Sequence, residues 1–358
     1  MNASFWRGKR VFLTGHTGFK GGWLSLWLKS LGAEVHGFAL PPATDPSLFV
    51  TARVDQCLSG HTLGDLADRS LVATSLHDAQ PEIVFHLAAQ ALVRQGYAFP
   101  VETYATNVMG TVHLLQAIRE CPTVRAVVNV TTDKCYENRE WEWGYRENDA
   151  LGGADPYASS KACSEVVTAA FRRSYLESSG VGVATARAGN VIGGGDWSPD
   201  RLLPDAFRAL DTQRALEIRA PGSIRPWQHV LEPLAGYLLL AEALWRDPKT
   251  YSGAWNFGPS DTDARSVADV LKSLSKLEPA FHWTSDSREH PHEAGVLRLD
   301  SSRARLALGW RPRWNLEEAL ARTAGWHQLW RQGRDMADCC AAQIRSYEEN
   351  QPLPPGQP

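Results

Sequence analysis

The composition of this chain of 358 residues is that of a globular protein, because 43% of the residues are hydrophobic and 22% are charged; a fibrous or largely disordered chain is excluded. The formal net charge of −3, without a long basic stretch, argues against nucleic acid as a partner. The length exceeds one ordinary hydrophobic core, so we expect one large lobe and one smaller lobe.

The sequence carries no pattern of a membrane or exported protein. The apolar stretch 236–245 is interrupted by Glu242 and is shorter than the roughly 18 residues that a membrane span needs. The N-terminal residues lead into a strand without a cleavage-site pattern, so no signal peptide is expected. The cysteines have no CxxC spacing and are expected to be reduced thiols; they lie at positions 57, 121, 135, 163, 339 and 340. We therefore expect a cytoplasmic protein.

Apolar strands and helices alternate along the first half of the chain. Strands are predicted near residues 10–14, 34–40, 83–87, 125–130 and 182–187, and this alternation indicates an α/β fold with a doubly wound parallel sheet. From Gly193 the sequence changes to loops rich in Gly, Pro and Trp, which indicates a smaller C-terminal lobe. A helix at about 233–246 and a strand at 255–257 are expected to return to the first lobe. A terminal helical segment is predicted from Leu316 to about Tyr347.

These patterns divide the chain into three parts. The large lobe comprises residues 1–190 plus about 229–257, and the smaller lobe comprises 191–228 plus about 258–335. The end of the terminal helix and a Pro-rich tail make up residues 336–358.

A glycine-rich turn links the first strand to an amphipathic helix, at residues 14–22. Strand, glycine turn and helix are the context that a dinucleotide fingerprint requires, and the fold is then Rossmann-like. Gly15 lets the turn close, Gly18 lets the backbone approach a pyrophosphate, and Gly21 lets helix and strand pack closely. The spacing is GxxGxxG, and a glycine cluster alone is more often only a loop, but the flanking elements favour cofactor binding.

The second informative pattern is Thr132-Asp133-Lys134, directly after the apolar strand 127–130, followed by Tyr157 and Lys161. The Tyr and the Lys are four residues apart at the start of a helix, so both project from one face. A lysine ammonium near a phenol is expected to lower the pKa of Tyr157 toward neutrality and make it a usable base. Cys135, beside the triplet, is expected to pack rather than react, because no base is placed for it.

These residues resemble the extended short-chain dehydrogenase/reductase superfamily, and within it the CDP-glucose 4,6-dehydratases. The resemblance covers about residues 5 to 330 and depends on the motifs in combination. The segments that carry the closer resemblance are 5–10, the loop 15–23, 132–138 and 193–197.

The resemblance implies that the large lobe binds NAD. Asp65-Leu66 resembles the pair that contacts adenine, 86–90 the loop beside the nicotinamide ribose, and 107–110 the N-V-x-G of the fourth helix. The implied cofactor-binding residues are Gly15, His16, Thr17, Gly18, Phe19, Gly21, Asp65, Leu66, Leu87, Ala88, Ala89, Gln90, Asn107, Tyr157 and Lys161. The end of the second strand offers neither an acid for a ribose hydroxyl nor a cation for a 2′-phosphate, so it does not decide between NAD and NADP.

The smaller lobe is expected to bind the sugar nucleotide. The segment 187–193 resembles the approach to the sugar-nucleotide pocket, and Arg225 resembles the arginine that grips a diphosphate. The implied substrate-binding residues are Arg187, Asn190, Arg201, Arg225 and His292. The pair His290 and His292 with Glu293 lacks further ligands at zinc-like spacing, so no metal is expected.

The implied reaction converts CDP-glucose into CDP-4-keto-6-deoxyglucose and water, toward deoxysugars such as those of lipopolysaccharide. Oxidation at C4 makes the C5 proton acidic, water is eliminated across C5 and C6, and the same hydride returns to C6. Tyr157 with Lys161 takes the proton of the C4 hydroxyl, Thr132 binds the C4 oxygen, and Asp133 protonates the departing hydroxyl.

Lys134 departs from the pattern of the related dTDP-glucose dehydratases, which carry a glutamate there as the C5 base. A lysine serves as that base only when it is neutral, and as a cation it would stabilise the enolate instead. The C5 base is therefore left open, with a histidine, a water or Tyr157 as alternatives.

Three other functions are weighed against this one. A sugar-nucleotide 4-epimerase would use the same Tyr157, Lys161 and NAD, but it needs no acid and base for C5 and C6, against which Asp133 and Lys134 argue. A dehydratase for another NDP-hexose would carry out the same reaction on a different sugar nucleotide. A non-catalytic nucleotide-binding scaffold usually loses the Tyr or the Lys, and this chain keeps both.

The resemblance also implies a homodimer or homotetramer, in which the helix after Thr103 and the helix after Tyr157 form a four-helix bundle with a second copy. The candidate positions are Val108, Val112, Leu115, Ile118, Val166, Val167, Ala170 and Phe171, about half of which are expected to face their own sheet.

Overall fold

The fold is built around a sheet of seven parallel strands in a computed structural model that describes residues 1–286 and 295–349. The strands β1 to β12 are, in chain order, Arg10–Thr14, Glu34–Ala39, Gly60–Leu63, Ile83–His86, Ala126–Val130, Gly182–Ala188, Asn190–Ile192, Leu216–Ile218, Ile224–His229, Gly253–Phe257, Ala264–Ser266 and Trp283–Ser285. The order in the large sheet is β10-β6-β5-β4-β1-β2-β3. Two small sheets, β11-β9-β7 and β12-β8, lie in the C-terminal half. The predicted doubly wound parallel sheet is confirmed.

Helices cover the sheet and build the C-terminal part. The α-helices of the described residues, α1 to α15, are Ala3–Trp6, Phe19–Ser30, Leu48–Thr51, Arg69–Ala79, Val93–Ala98, Pro100–Tyr104, Gly110–Arg119, Pro156–Phe171, Leu202–Asp211, Leu231–Arg246, Pro248–Tyr251, Val267–Leu277, Ser302–Ala307, Leu316–Arg331 and Met336–Glu349. Short 3₁₀ turns lie at Val54–Cys57, Asp133–Cys135 and Asp261–Asp263, and π turns at Ala105–Met109 and Arg172–Leu176. In the part of the chain that the structure describes, no helix has the length and apolarity of a membrane span.

The apolar strands are buried on both faces, as in a parallel sheet that is covered by helices on both sides. Alternate residues of one strand enter different cores: Val11 and Leu13 join the first core, whereas Phe12 joins the second. The helix α10 and the strand β10 return to this sheet, as predicted, and Leu234 and Phe257 belong to the first core. A third core, between α9, α12 and α14, supports the smaller sheets.

The strands of the two small sheets were not predicted, and one strand of the large sheet and the terminal segment also differ from the sequence-based expectation. The edge strand β3 was not predicted, because its four residues include a glycine and alternate between exposed and half-buried. The terminal helical segment is two helices, α14 and α15, separated at Gly333, whose φ of +69° favours glycine. The helix α15 folds back on α2, where the indole of Trp27 donates a hydrogen bond of 2.8 Å to Glu348.

The carboxyl ends of β1, β4 and β5 lie side by side, because these strands are neighbours in the sheet. The chain after β1 goes to β2 on one side, whereas β4 pairs on the other side of β1. Ligands of doubly wound sheets bind at such a switch point. The glycine turn, the loop 87–90 and the triplet 132–134 all start there.

Candidate active site

The glycine turn after β1 has the geometry that the three glycines were predicted to provide. Gly15 has φ +82°, and a Cβ on it would lie 2.7 Å from the backbone nitrogen of Ala88. A Cβ on Gly21 would lie 2.0 Å from the carbonyl oxygen of Gly15, so only glycine fits at that contact. Gly18 is exposed and begins α2 without a side-chain cap. The helix N-terminus therefore presents backbone N–H groups to an anion, as a pyrophosphate site requires.

The loop that follows β4 is fixed to this turn by Thr14. Its hydroxyl oxygen accepts hydrogen bonds of 3.1 Å from the backbone N–H groups of Leu87 and Ala88. The His86 ring contacts Thr14 at 2.7 Å and Thr111 at 3.2 Å, so both ring nitrogens have partners. Burial, followed by the charge of Lys161, lowers the pKa of His86 to about 3. This histidine is a structural support for the loop.

Asn107 fixes the other end of the same loop. Its amide oxygen accepts from the Gln90 backbone N–H at 2.9 Å, and its amide nitrogen donates to the Gln90 carbonyl and to the Ser160 hydroxyl, both at 2.9 Å. The side chain is buried and its hydrogen bonds are to protein atoms. The sequence analysis predicted Asn107 as a cofactor ligand. In the structure its side chain instead ties the loop to the helix that carries Tyr157.

The residues expected around adenine lie together beside β3. Asp65 is exposed, and Leu66 packs on Gly110, where an added Cβ would lie 2.8 Å from the Leu66 Cβ. The side chain of His16 is buried and contacts His61 at 3.2 Å, and burial followed by the charge of His61 lowers its pKa to about 4. The His16 ring thus packs inside the protein.

Two other residues of the glycine turn have contacts of their own. The Thr17 hydroxyl donates to the carbonyl of Leu40 at 2.8 Å and closes the turn onto the end of β2. The ring of Phe19 packs near Gly193, whose added Cβ would lie 3.1 Å from it.

The triplet after β5 forms a buried hydrogen-bonded turn. Asp133 is fully buried, and its Oδ1 accepts a hydrogen bond of 3.1 Å from the Thr132 hydroxyl. The same oxygen lies 3.5 Å from the Lys134 Nζ, and the Lys134 side chain is 32% exposed. The other oxygen, Oδ2, is buried without a hydrogen-bond partner among the described residues. Among the described residues, one carboxylate oxygen is thus hydrogen-bonded and the second has no partner.

Tyr157 and Lys161 project from α8 toward the triplet, and both are buried. Burial raises the pKa of Tyr157, and the hydrogen bond with Thr132 and the charge of Arg201 oppose the rise. The expectation that Lys161 brings the pKa of Tyr157 toward neutrality is therefore wrong for this structure. Burial of the phenol is the largest cause of the rise, and the ammonium of Lys161 donates to the Val130 carbonyl at 3.0 Å. Burial lowers the pKa of Lys161 to about 8.

Arg187 occupies a different place from the one predicted. Its Nε and Nη2 donate to the two carboxylate oxygens of Glu165 at 2.9 and 2.8 Å, and its Nη1 donates to the Tyr136 hydroxyl at 2.7 Å. The side chain is 2% exposed. Thr131 and Thr185 donate to the same carboxylate. Because the guanidinium is enclosed by protein partners, Arg187 is a structural residue of the sheet and not a substrate ligand.

The other predicted substrate residues surround the smaller sheets. Asn190 starts β7 and has a buried side-chain oxygen without a partner in the described chain. Arg201 precedes α9, and its buried Nε likewise has no partner there. Arg225 is buried on β9, and its Nη1 donates to the carbonyls of Ile224 and Gly295 at 2.9 and 3.3 Å. His292 lies outside the described residues.

Two residues close to the triplet were not predicted from the sequence, Lys20 and Tyr237. Lys20 is the second residue of α2, and its charge interacts with Arg201, Asp133, Lys161 and Lys134, in decreasing order. The Tyr237 hydroxyl, on α10, is buried without a hydrogen-bond partner in the described part of the chain. Burial is the largest cause that raises the pKa of Tyr237, and the charges of Tyr157 and Asp133 act in the same direction. The available sequence signals were a charge within a glycine turn and a phenol in an aliphatic helix.

Comparisons with known proteins agree with this geometry. The model of the GDP-mannose 4,6 dehydratase family matches residues 12–323. A CDP-glucose 4,6-dehydratase of Salmonella typhimurium is 51% identical over 353 residues, which cover 97% of this chain and 98% of the relative. The structure of TunA, an NAD dependent NDP-hexosamine 5,6-dehydratase involved in tunicamycin biosynthesis, is 25% identical with a TM-score of 0.75 and covers 92% of this chain and 99% of its own. A dTDP-glucose 4,6-dehydratase from Bacillus anthracis, in complex with NAD, shares the fold at 18% identity and a TM-score of 0.75, over 92% of this chain and 100% of its own.

Proposed function

The chain belongs to the GDP-mannose 4,6 dehydratase family, and we propose that it converts CDP-glucose into CDP-4-keto-6-deoxyglucose and water as an NAD-dependent lyase of the cytoplasm. The identity of 51% to a CDP-glucose 4,6-dehydratase, over nearly the full length of both chains, supports the choice of CDP-glucose. The observation that carries the proposal is the buried Asp133 near Tyr157 and Thr132, whose Oδ2 has no hydrogen-bond partner among the described residues.

The cofactor fits the residues at the switch point. The Gly15–Gly18 turn and the N-terminus of α2 would provide backbone N–H groups for the pyrophosphate. Asp65 and Leu66 are assigned to the adenine, and the loop 87–90 to the nicotinamide ribose. Bound NAD supplies the acceptor for the C4 hydride and its return to C6.

Oxidation at C4 requires a group that takes the proton of the C4 hydroxyl. Tyr157, near the start of α8, has a side-chain hydrogen bond with Thr132, and we assign both side chains to the C4 oxygen of the sugar. Lys161, four residues further along α8 and also buried, is assigned as the cation of this step.

Elimination at C6 requires an acid for the departing hydroxyl. Asp133 is held through Oδ1 by Thr132, so Oδ2 can give its proton to that hydroxyl without loss of the internal contact. A 4-epimerase returns the hydride to C4 and expels no hydroxyl, so it has no use for a buried carboxyl group at this place.

The diphosphate of the substrate needs cations, and Arg225 and Arg201 are assigned to it. A guanidinium forms bidentate hydrogen bonds with phosphate oxygens. The Arg201 Nε has no hydrogen-bond partner in the described chain, and Arg225 lies on the small sheet with Asn190.

The activity is tested with CDP-, dTDP-, GDP- and UDP-glucose, each deuterated at C4. We expect turnover with CDP-glucose, and alkali treatment of the product should give the ultraviolet absorption of a 4-keto-6-deoxy sugar. Mass spectrometry and NMR should find the deuterium at C6 of the product.

Two results would contradict this proposal. A product epimerised at C4 that keeps its C6 hydroxyl would identify an epimerase. Deuterium found in water, or in released reduced cofactor, would exclude internal hydride return. Preference for another of the four sugar nucleotides would change the assigned nucleobase but not the proposed reaction.

A second copy of the chain is the partner that we propose. The side chains of Phe99, Val101, Tyr104, Met109 and Val166 are exposed on α6, the π turn and α8, with exposed fractions from 38% to 75%. Of the predicted positions, Val166 is exposed, whereas Leu115 and Ile118 pack in the core of their own sheet, as was expected for about half of them. Exposed apolar side chains on neighbouring elements favour association.

Light scattering at micromolar concentration should give a multiple of 39.5 kDa, consistent with a homodimer or homotetramer. Val166→Glu should reduce the mass, because it would place a carboxylate in the interface. Val50→Glu, at a side chain that is 65% exposed on α3, is the control and should not. A wild-type mass of one chain would exclude the oligomer.

A further inference from the structure

The proposed reaction needs a base for the C5 proton, and the structure brings an unpredicted amine to the site. Lys20 is in the first turn of α2, directly after the exposed Gly18. Its Nζ makes no hydrogen bond or ion pair with the described residues, although the side chain is half-buried. The charged groups that act on it come from three separate elements: Asp133 and Lys134 from the triplet, Lys161 from α8, and Arg201 from the start of α9.

We propose that Lys20 is the catalytic base that removes the C5 proton, a role that rests on the proposed dehydratase function. The helix α2 starts at the carboxyl end of β1, at the same edge of the sheet as the triplet after β5, and the charge of Lys20 interacts with Asp133 and Lys161 there. C5 lies between C4 and C6, so a base for C5 has to reach the space between Tyr157 and Asp133.

The lysine of the triplet and two buried histidines have contacts of their own. Lys134 is paired with Asp133 at 3.5 Å. Both ring nitrogens of His86 have hydrogen-bond partners. The His229 ring is fully buried between Trp23 and Trp314, where its Nδ1 accepts from a backbone N–H. None of these side chains combines a position beside Asp133 with an unpartnered nitrogen.

The surroundings of Lys20 also favour its neutral form. Burial lowers its pKa to about 7, the cations Arg201, Lys161 and Lys134 act in the same direction, and Asp133 alone opposes them. A lysine is ordinarily charged at neutral pH, whereas an amine with a pKa near 7 is partly available as a base.

The proton balance closes with these residues. The C5–H bond breaks, its proton binds the amine of Lys20, and the electron pair forms the enolate of the C4 ketone. The C6–O bond then breaks while Asp133 gives its proton to the departing hydroxyl, which leaves water and a C5–C6 double bond. When the double bond is reduced at C6 by the cofactor, the Lys20 ammonium returns a proton to C5. The proton that Tyr157 took from the C4 hydroxyl replaces the one that Asp133 gave up.

The test measures deuterium incorporation at C5 in D₂O with CDP-glucose and NAD. Lys20→Met should oxidise C4, seen as a burst of reduced NAD absorbance, but incorporate deuterium at least about a hundredfold more slowly. Lys20→Arg should fail in the same way, because an arginine keeps the charge but does not deprotonate. Lys20→Gln is the second neutral variant, in case Lys20→Met does not fold.

The comparison variant is Lys134→Met. Removal of this cation should raise the pKa of Lys20, so the rise of C5 exchange with pH, expected near pH 7 in the wild type, should move to higher pH. Loss of C5 exchange in Lys134→Met, together with wild-type exchange in Lys20→Met, would make Lys134 the base.

Other outcomes also overturn the assignment. If Lys20→Arg exchanges C5 at the wild-type rate, the role is that of a cation and not of a base. If Lys20→Met no longer binds NAD, as judged by quenching of tryptophan fluorescence, Lys20 is a cofactor ligand. A wild-type protein without dehydratase activity on any of the four sugar nucleotides would instead refute the function on which this role rests.

Discussion

Tyr157→Phe is expected to lower turnover at least about a hundredfold while binding of NAD and CDP-glucose persists. The substitution removes one oxygen, and with it the hydrogen bond to Thr132 and the group that accepts the C4 hydroxyl proton. The ring is buried on α8, so the phenyl group fills the same space and the fold should not change. Steady-state kinetics with CDP-glucose and fluorescence titration with NAD measure the two effects separately.

Tyr104→Phe is the matched control. Tyr104 ends α6 and is 38% exposed. Its hydroxyl is 2.5 Å from the hydroxyl of Ser159, a residue of the helix α8 that carries Tyr157. The control removes the same atom and should change turnover little. A loss below about tenfold in Tyr157→Phe, equivalent to about 1.4 kcal/mol, would mean that another group takes the proton.

Arg187→Met should reduce the free energy of unfolding by about 3–5 kcal/mol, because it leaves the carboxylate of Glu165 buried without its cation. Arg187 and Glu165 are 2% and 4% exposed, so water cannot replace the lost partner. Denaturant unfolding measures the loss. The same experiment decides between a structural residue and the substrate ligand that the sequence pattern favoured.

The double variant Arg187→Met with Glu165→Gln should be more stable than Arg187→Met alone. The amide is uncharged, and its oxygen can still accept from the Thr131 or the Thr185 hydroxyl. A variant Arg187→Met with unchanged unfolding and a KM for CDP-glucose raised more than about tenfold, or about 1.4 kcal/mol, would return Arg187 to the substrate site.

Local patterns of the sequence were enough for the parts of the site that depend on consecutive residues. The glycine turn is one case: Gly15 and Gly21 are required by contacts inside one strand-turn-helix unit, so their spacing carries the information. Tyr157 and Lys161 are another, since four residues along a helix put both on one face. The alternation of strands and helices predicted the parallel sheet for the same reason, because apolar periodicity is a property of each element.

The directions of side chains in fully buried elements were not predictable in this way. Arg187 lies in a strand whose seven residues are all buried. The sequence therefore does not show which face of the sheet its side chain occupies, or that it pairs with Glu165 on that face. Asn107 belongs to a motif that correctly marks a helix near the cofactor loop, but its hydrogen bonds to Gln90 and Ser160 follow from the approach of two other elements.

The sequence by itself determined the fold class, the glycine turn and the pairing of Tyr157 with Lys161, because each is set by neighbours within one or two adjacent elements. Only the tertiary structure decided the environment of Lys20, since Asp133, Lys161 and Arg201 come from segments more than 100 residues away along the chain. Burial and charge depend on that assembly, and they shift a lysine pKa in a direction that residue type does not reveal.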